Sequence, residues 1–396
     1  MESKHKIHRT YFPNLDGLRF FAFLSVFISH SVIFLGYQNN SPLFTALKNT
    51  FLKHGDLGVN FFFVLSGFLI TYLLLQEKSH MGTIKLRHFY MRRILRIWPV
   101  YFLTLIVGFF VIPPLLANFD IHLPFITTAP IDRLPWYLFF AANIDMSFHM
   151  APSVIVAVLW SISVEEQFYL IWPVLMKKIS KKTIGVAILI IILISLLFRF
   201  FVTDNYDISK YFTFSVMSDL AVGAGLAYCV YYMSFIQDRL KKMSKFSIAF
   251  IYFFLFLLVS FKGNLGNLLS GFSYKIVYAL LPLAFSLLFA FIIAEQNYAE
   301  NSLWKIGRHK MVTSLGKVSY GLYAYHMISI FLVLLLFSSF GVLYPYSGWS
   351  IYILITVASF IGTILISFLS FRYIESKFLK HKERFSYKRE NDVFTM

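Results

Sequence analysis

Three ionisable residues lie within one apolar segment near the start of the chain. Asp16, Arg19 and His30 interrupt the stretch NLDGLRFFAFLSVFISHS. A charged side chain in membrane hydrocarbon costs at least about 2.5 kcal/mol, so each of the three is a candidate catalytic residue. On a helix they share one face, with Arg19 and His30 about 16 Å apart, which predicts the two ends of one buried cavity. Alternatively, Asp16 and Arg19 anchor at the interface and His30 is a hydrogen-bonded interior histidine.

Two adjacent carboxylates interrupt a second apolar segment. Glu165 and Glu166 lie in LWSISVEEQFYLIWPVL. Neighbours on a helix differ by about 100° around its axis, so at least one carboxylate must face the protein interior. There it would orient or charge-balance His30 or Arg19, or act as a base toward a hydroxyl. The alternative is a structural ion pair with Arg19 or Arg93, and the pattern does not rank the two glutamates.

An arginine cluster precedes a third apolar run. Arg92, Arg93 and Arg96 lie in FYMRRILRIWPVYF, with Pro99 one turn further on. Arg93 and Arg96 are three residues apart, which places two guanidinium groups on one helical face, where they can hold a phosphate. The alternative is an anchor at the cytoplasmic surface, where membrane proteins concentrate basic residues.

Further polar residues within apolar segments are candidates for substrate binding. They are Asn60, Ser163, Tyr323 and His326. Tyr323 and His326 share a helical face in SYGLYAYHMI, and a histidine in a membrane helix is either functional or a structural hydrogen-bonding group. The glycines around Asn60 indicate close helix packing rather than substrate binding. These are Gly55, Gly58 and Gly67.

Composition indicates that the membrane is the solvent for nearly all of the 396 residues. The chain is 58% hydrophobic and 14% charged, with a mean hydropathy of +0.69. Soluble domains are about 45 to 50% apolar and 25% charged. The net charge of +17 comes from basic clusters between apolar segments, which does not indicate a nucleic-acid partner. The single cysteine, Cys229, excludes a disulfide within the chain and a cysteine-based metal site, and we expect no metal.

Hydropathy predicts an all-α, polytopic protein with about ten transmembrane helices. The sixth, seventh and ninth spans are the least regular, because Asp219, Gly263 and the polar start at Ser319 interrupt or shorten them. The predicted spans are 15–36, 58–76, 94–116, 152–176, 184–202, 209–233, 246–261, 275–295, 316–340 and 350–374.

Loop charge predicts the orientation of these helices. About 28 of the 36 basic residues fall in the termini and alternate loops, which places both termini in the cytoplasm. We expect a membrane domain over 1–377 and a short charged cytoplasmic tail over 378–396. The outer loop over 117–151 is predicted to be re-entrant or partly ordered, because it is rich in proline and followed by tryptophan.

Five motifs, in this order, resemble the acyltransferase-3 family over roughly residues 11–375. They are LDGLR with His30 downstream, FFFVLSGFLI at 61–70, RRILR at 92–96, WSISVEEQFYLIWP at 160–173 and SYGLYAYH at 319–326. The chain departs from the family pattern at Met327-Ile328, which follow His326 where a proline is common. It departs again at Met217-Ser218-Asp219, which replaces an arginine-containing motif and weakens a site role for Asp219. Many relatives carry a C-terminal hydrolase-like domain, and we expect this chain to lack one.

The resemblance implies O-acylation at the cell membrane, most simply the bacterial cytoplasmic membrane. The family moves an acyl group, commonly acetyl, from cytosolic acyl-CoA to a carbohydrate or lipid-linked glycan. Whether a separate extracytoplasmic partner protein takes part is left open. Arg93 and Arg96 would hold the phosphates of acetyl-CoA, and Arg19 its thioester end. His30 would be the base or a transient acyl carrier, and Glu166, more than Glu165, would hold its tautomer.

Two other functions fit the same polar residues. In a transporter or flippase they would relay protons or pass a substrate, although the inverted repeats of many transporters are not evident. A membrane scaffold or sensor is the third hypothesis, but it gives no reason for five costly polar clusters in the bilayer.

Overall fold

The computed structural model describes residues 12–34, 42–119, 130–263, 268–340 and 349–385. All regular secondary structure within these ranges is helical, and ten helical segments are long and apolar enough to cross a membrane. This confirms the predicted fold class. The ten principal helices are α1 (Pro13–Phe34), α2 (Gly55–Met81), α3 (Leu86–Ile106), α4 (Leu159–Lys178), α5 (Lys181–Phe201), α6 (Thr213–Tyr232), α7 (Lys245–Lys262), α8 (Gly271–Tyr298), α9 (Ser319–Ser339) and α10 (Trp349–Ser370).

The three least regular predicted spans are present as α6, α7 and α9. Helix α9 runs unbroken past His326, so Met327 and Ile328 cause no irregularity there. Helix α3 differs most from its prediction, because it begins at Leu86 rather than near 94. The arginine cluster is therefore inside the helix, almost two turns from its start, and not at its boundary. Hydropathy missed these turns because their basic residues lower the local average.

Close backbone contact joins α2 to α6, which pack along much of their length. A Cβ atom added at Gly67 of α2 would collide with the backbone carbonyl of Leu220, and one added at Gly223 of α6 with that of Val64. The two glycines thus let each helix approach the other, as small residues do in membrane proteins. The predicted packing role of the glycines in the second span is confirmed at Gly67.

The segment before α4 reaches into the bundle. It contains two short helices, Leu134–Leu138 and Ala142–Phe148. The backbone carbonyl of Phe140 accepts a hydrogen bond of 2.9 Å from Gln167, which lies midway along α4. Phe140 has a φ of 55°, which is uncommon for a residue with a Cβ atom, and its ring lies 4.4 Å from that of Tyr101. This loop was predicted to be re-entrant or partly ordered; its described part contains ordered helices, and residues 120–129 lie outside the described residues.

Helix α10 continues beyond the hydrocarbon-length segment. A π-helical turn over Phe371–Glu375 leads into the helix Ser376–Lys382. Arg92 donates a hydrogen bond of 2.7 Å to the backbone carbonyl of Phe385, which fastens this end of the chain to α3. The rest of the predicted tail, 386–396, lies outside the described residues.

Candidate active site

A first cavity, of about 90 Å³, lies among α1, α2, α3, α4 and α9. It is lined by Arg19 of α1, by α2 between Val59 and Ile70, by α3 between Arg93 and Ile97, by α4 between Ser161 and Tyr169, and by the first turns of α9. Its polar lining residues are Arg19, Ser66, Arg93, Arg96, Ser161, Glu165, Tyr169, Ser319, Tyr320 and Tyr323. Three arginines facing one carboxylate make this cavity cationic. We call it the arginine cavity.

The arginines of this cavity differ in how they are satisfied. Arg19 forms an ion pair with Asp16 at 2.7 Å, as their shared helical face predicts. Arg93 and Arg96 form no hydrogen bond or ion pair with any residue that the structure describes, and the Nε atom of Arg93 is buried without a partner. A buried guanidinium group without an acceptor is costly unless an anion reaches it. The pair therefore forms a ready site for a phosphate or another anion.

The two adjacent glutamates have different surroundings. Glu165 lines the arginine cavity and accepts hydrogen bonds from Ser66 at 2.6 Å and from Tyr169 at 3.2 Å. Glu166 accepts one from the Trp98 indole at 3.1 Å, and its Oε1 atom is buried without a partner among the described residues. Neither glutamate forms an ion pair in the described part of the chain. The structure thus ranks Glu165, and not Glu166, as the carboxylate that faces the cavity.

His30 and His326 form a hydrogen-bonded pair between α1 and α9. The Nδ1 atom of His30 lies 2.7 Å from the Nε2 atom of His326, and the ring planes differ by 9°. On the far side of His326, Nδ1 lies 2.6 Å from the backbone carbonyl oxygen of Tyr323. His326 is completely buried, whereas His30 is half-buried.

This chain of contacts fixes the tautomers of both neutral rings. A carbonyl oxygen only accepts, so Nδ1 of His326 carries the proton that it donates to Tyr323. The Nε2 atom of neutral His326 then accepts a hydrogen bond from the Nδ1–H of His30. The remaining nitrogen of His30, Nε2, therefore holds a lone pair and can take a proton.

A second cavity, of about 720 Å³, lies on the other side of this histidine pair. The C-terminal end of α1 and the N-terminal end of α2 line it, together with residues of α4 to α9. We call it the large cavity. Its residues with polar or aromatic side chains are Ser29, His30, Lys53, His54, Asp56, Asn60, Trp160, Arg199, Tyr206, Ser209, Lys210, Tyr211, Ser215, Asp219, Lys262, Tyr278 and Tyr323.

The two cavities share two wall residues, Val59 and Tyr323. The Tyr323 hydroxyl lies 2.8 Å from the Ser161 hydroxyl, which fixes its position in the shared wall. Arg19 and His30 therefore do not lie at two ends of one cavity, as their spacing suggested. Each lines its own cavity, and the two cavities meet at Val59 and Tyr323.

Several predicted site residues lie elsewhere than expected. Arg92 turns away from the arginine cavity and pairs with the buried carboxylate of Glu77 at 3.1 Å. Ser163 is buried and donates to the carbonyl of Leu159 in its own helix, away from both cavities. His326 contacts His30 rather than a cavity, whereas Asn60 and Tyr323 are cavity residues as expected. The described partner of His30 is thus His326, while Glu166 is bonded to Trp98.

Sequence reasoning missed the basic residues of the large cavity. Arg199 belongs to α5, where it stands near the end of an apolar run and resembles an interfacial anchor. The rule that singled out Arg19 applies to it equally, since it is only 2% exposed. Asp219, where the chain departs from the family motif and a site role was therefore discounted, also lines this cavity. Within the described residues, no cluster of three metal-ligating side chains is present.

The helices enclose a cationic cavity, a proton-accepting histidine and a second polar cavity. Together these features define a polytopic membrane protein equipped for group transfer. Residues 12–370 match the model of the acyltransferase-3 family, described as an acyltransferase domain, and the chain belongs to that family.

Curated relatives agree with this assignment. A Staphylococcus aureus (strain COL) protein named "Putative O-acetyltransferase" is 32% identical over 96% of this chain and 59% of its own length. "Peptidoglycan O-acetyltransferase OatA" of Listeria monocytogenes is 28% identical over 96% of this chain and 58% of its own. "O-acetyltransferase OatA" of Staphylococcus aureus is 28% identical over 93% of this chain and 57% of its own. The chain thus spans under three fifths of these relatives. No solved structure matches it significantly.

Proposed function

We propose that this chain is an O-acetyltransferase that moves an acetyl group from acetyl-CoA to a hydroxyl of a cell-envelope carbohydrate. The observation that carries the proposal is the arrangement of the two cavities, which meet beside a histidine whose Nε2 can accept a proton. The names of the relatives support acetyl as the group transferred and a peptidoglycan-like polymer as the type of acceptor.

The donor end of the reaction belongs to the arginine cavity. Arg93 and Arg96 bind an anionic group of acetyl-CoA, because they are partly buried and lack an acceptor among the described residues. With about 90 Å³, the cavity admits one part of the donor, and the remainder extends toward the N-terminal end of α1. The distribution of loop charge predicts that this end is cytoplasmic, on the side of the membrane where acetyl-CoA is available.

His30 acts as the general base. The acceptor hydroxyl oxygen attacks the thioester carbonyl carbon while its proton passes to Nε2 of His30. A carbon–oxygen bond forms and the carbon–sulfur bond breaks. His30 then returns the proton to the departing sulfur, so the products are an acetyl ester and CoA with a free thiol. His326 holds His30 in the tautomer that this step needs, a role that the sequence assigned to Glu166.

Glu165 lines the same cavity as the three arginines and limits the excess of positive charge when the donor is absent. Tyr323 stands in the wall through which the acetyl group passes, with its hydroxyl held by Ser161. The reaction therefore takes place at the level of Val59 and Tyr323.

The test uses the purified protein in proteoliposomes with acetyl-CoA labelled in the acetyl group. Label retained on an added glycan in the wild type, and absent with His30→Ala, supports the proposal. Unmodified substrate delivered across the membrane without ester formation would instead indicate a transporter. Wild-type transfer by the His30→Ala variant would overturn the assigned mechanism.

A further inference from the structure

Arg199 forms an unusual buried group on the wall of the large cavity. It is 2% exposed, and three hydrogen bonds fix its guanidinium group. Nε donates to the carbonyl of Ala279 at 2.9 Å, while Nη1 donates to the carbonyl of Ser215 at 2.7 Å and to the hydroxyl of Ser218 at 2.9 Å. The second terminal nitrogen, Nη2, has no hydrogen-bond partner among the described residues. The guanidinium group is therefore held rigidly with both N–H donors of Nη2 unused.

The carboxylate of Asp219 is linked to Arg199 only indirectly. Asp219 is linked to Arg199 through the Ser218 hydroxyl, which lies 3.2 Å from the Asp219 carboxylate. The same carboxylate oxygen also accepts from Ser286 at 2.7 Å. Asp219 thus balances the arginine without occupying its Nη2 atom.

The rest of the cavity wall has an excess of positive charge. Lys262 is paired with Asp56, the second carboxylate on this wall. Lys210 lies over the rings of Tyr206 and Tyr211, at 5.3 and 4.8 Å from their centroids. Lys53 adds a further cation. The cationic side chains of the large cavity therefore outnumber its carboxylates, which favours an anion as the occupant.

The shape and the aromatic lining of the cavity favour a sugar as the carrier of that anion. Its volume of about 720 Å³ lies within the range of small-molecule sites, roughly 300 to 1,000 Å³. Trp160, Tyr211 and Tyr278 present flat apolar surfaces beside the polar groups. His30 lines the same cavity, so a sugar bound here has its hydroxyl groups within the space that His30 faces.

We propose that the large cavity binds an acidic sugar unit, with Arg199 and Lys210 holding its carboxylate or phosphate group. This inference rests on the proposed function for the sugar's role as acetyl acceptor, but the binding itself does not require catalysis. The acidic group would fix which hydroxyl approaches His30, because a fixed arginine with the two N–H donors of Nη2 unused selects both charge and orientation.

The experiment measures binding without acetyl-CoA, using purified protein in nanodiscs and ligand-detected NMR. The probes are three matched pairs, glucuronic acid with glucose, N-acetylmuramic acid with N-acetylglucosamine, and glucose 6-phosphate with glucose, and inorganic phosphate is added as an anion without a sugar. We expect at least one acidic sugar to bind about tenfold more tightly than its neutral partner. The first two pairs report a carboxylate and the third a phosphate.

Variants decide which residues carry the preference. Arg199→Gln should remove the preference for acidic sugars, and Lys210→Gln should reduce it. The Lys210→Gln variant provides the test if the buried arginine is required for folding. Lys275→Gln is the matched control, because Lys275 pairs with Asp204 at 2.6 Å and does not line the cavity. It should keep the full preference.

Three outcomes would overturn the proposal. They are equal binding of acidic and neutral sugars, an unchanged preference in both cavity variants, and binding of inorganic phosphate as tight as that of glucose 6-phosphate. Failure of the proposed function can be told apart from failure of this proposal. If the protein selected acidic sugars but transferred no acetyl group, the binding site would stand and only the proposed acetyl transfer would be wrong.

Discussion

The Nδ1 atom of His30 lies 2.7 Å from the Nε2 atom of His326, and this contact orients the proton-accepting nitrogen of His30. The two residues are far apart in sequence and come together because α1 and α9 pack side by side. The backbone carbonyl of Tyr323 defines the direction of the whole chain of hydrogen bonds. The histidine pair is thus a small relay whose polarity is set by the helix backbone.

Replacing His30 with Ala should abolish acetyl transfer while sparing donor binding. Loss of a general base lowers kcat by about 10² to 10⁴-fold. His30 does not line the arginine cavity, so the Kd for acetyl-CoA should stay within about twofold of the wild-type value. Transfer to a soluble acceptor and equilibrium binding of labelled acetyl-CoA check the two halves. If His30→Ala lost donor binding, His30 would have to contact acetyl-CoA in the arginine cavity, which would contradict its assignment as a base in the large cavity.

His326 is expected to act by positioning His30. His326→Phe removes the acceptor of the His30 Nδ1–H and should lower kcat by about 10 to 100-fold with little change in KM for acetyl-CoA. His326→Gln supplies a carbonyl oxygen as acceptor and should recover a substantial part of that loss. A purely structural role predicts equal damage from both variants, measured as kcat and thermal stability. His309→Gln, at a histidine bonded to Trp304 outside both cavities, serves as the control.

Arg93 and Arg96 should govern donor affinity. Arg93→Gln and Arg96→Gln each remove a buried cation from the arginine cavity, and each should raise KM for acetyl-CoA about tenfold or more. Neighbouring Arg92 is the matched control. Arg92→Gln removes the ion pair with the buried Glu77, which keeps its hydrogen bond from the Lys85 backbone N–H, and should destabilise the protein by about 1 to 3 kcal/mol, with KM unchanged. KM values and thermal melting in detergent separate the two effects, and a raised KM in Arg92→Gln alone would reverse the assignment.

The two adjacent glutamates should respond differently to neutralisation. Glu165→Gln alters the charge of the arginine cavity and disturbs the hydrogen bonds from Ser66 and Tyr169, so it should change both kcat and KM for acetyl-CoA. Glu166→Gln keeps an oxygen acceptor for the Trp98 indole and should have the smaller effect. Steady-state kinetics of the two variants test this order. A larger loss in Glu166→Gln would restore the role that the sequence favoured for it.

Gly223 and Gly225 form a matched pair on one helix. An added Cβ at Gly223 meets the backbone of α2, so Gly223→Ala should force α2 and α6 apart and destabilise the protein by about 1 to 3 kcal/mol. At Gly225 the added Cβ would lie 3.5 Å from the Ile188 side chain, an ordinary contact, and the substitution should be close to neutral. Thermal melting of both variants measures the difference. Equal melting temperatures would mean that the close contact of α2 and α6 is not required.

The sequence was sufficient to predict ten spans because apolar length is a property of each segment alone. It also predicted that Arg93 and Arg96 face one way, since residues three apart share a helical face. The start of α3 was missed because its first turns are basic and amphipathic, and such turns lower a hydropathy average without ending a helix.

Contacts between distant helices were beyond the reach of local patterns. The pairing of His30 with His326 depends on the packing of α1 against α9, and nothing in either segment specifies the other. Helical spacing alone placed Arg19 and His30 in one cavity, whereas the side chains of Val59 and Tyr323 divide that space. Arg199 was overlooked because an arginine near the end of an apolar run looks the same whether it faces lipid headgroups or a cavity.

The wall formed by Val59 and Tyr323 also has an electrical consequence. A membrane voltage of 100 mV is worth about 2.3 kcal/mol for each elementary charge that crosses it. A continuous water-filled passage through the bundle would let ions run down that gradient. In the proposed function, the acetyl group is transferred where Val59 and Tyr323 line both cavities, and moving this uncharged group would need no such passage and would carry no charge across the membrane.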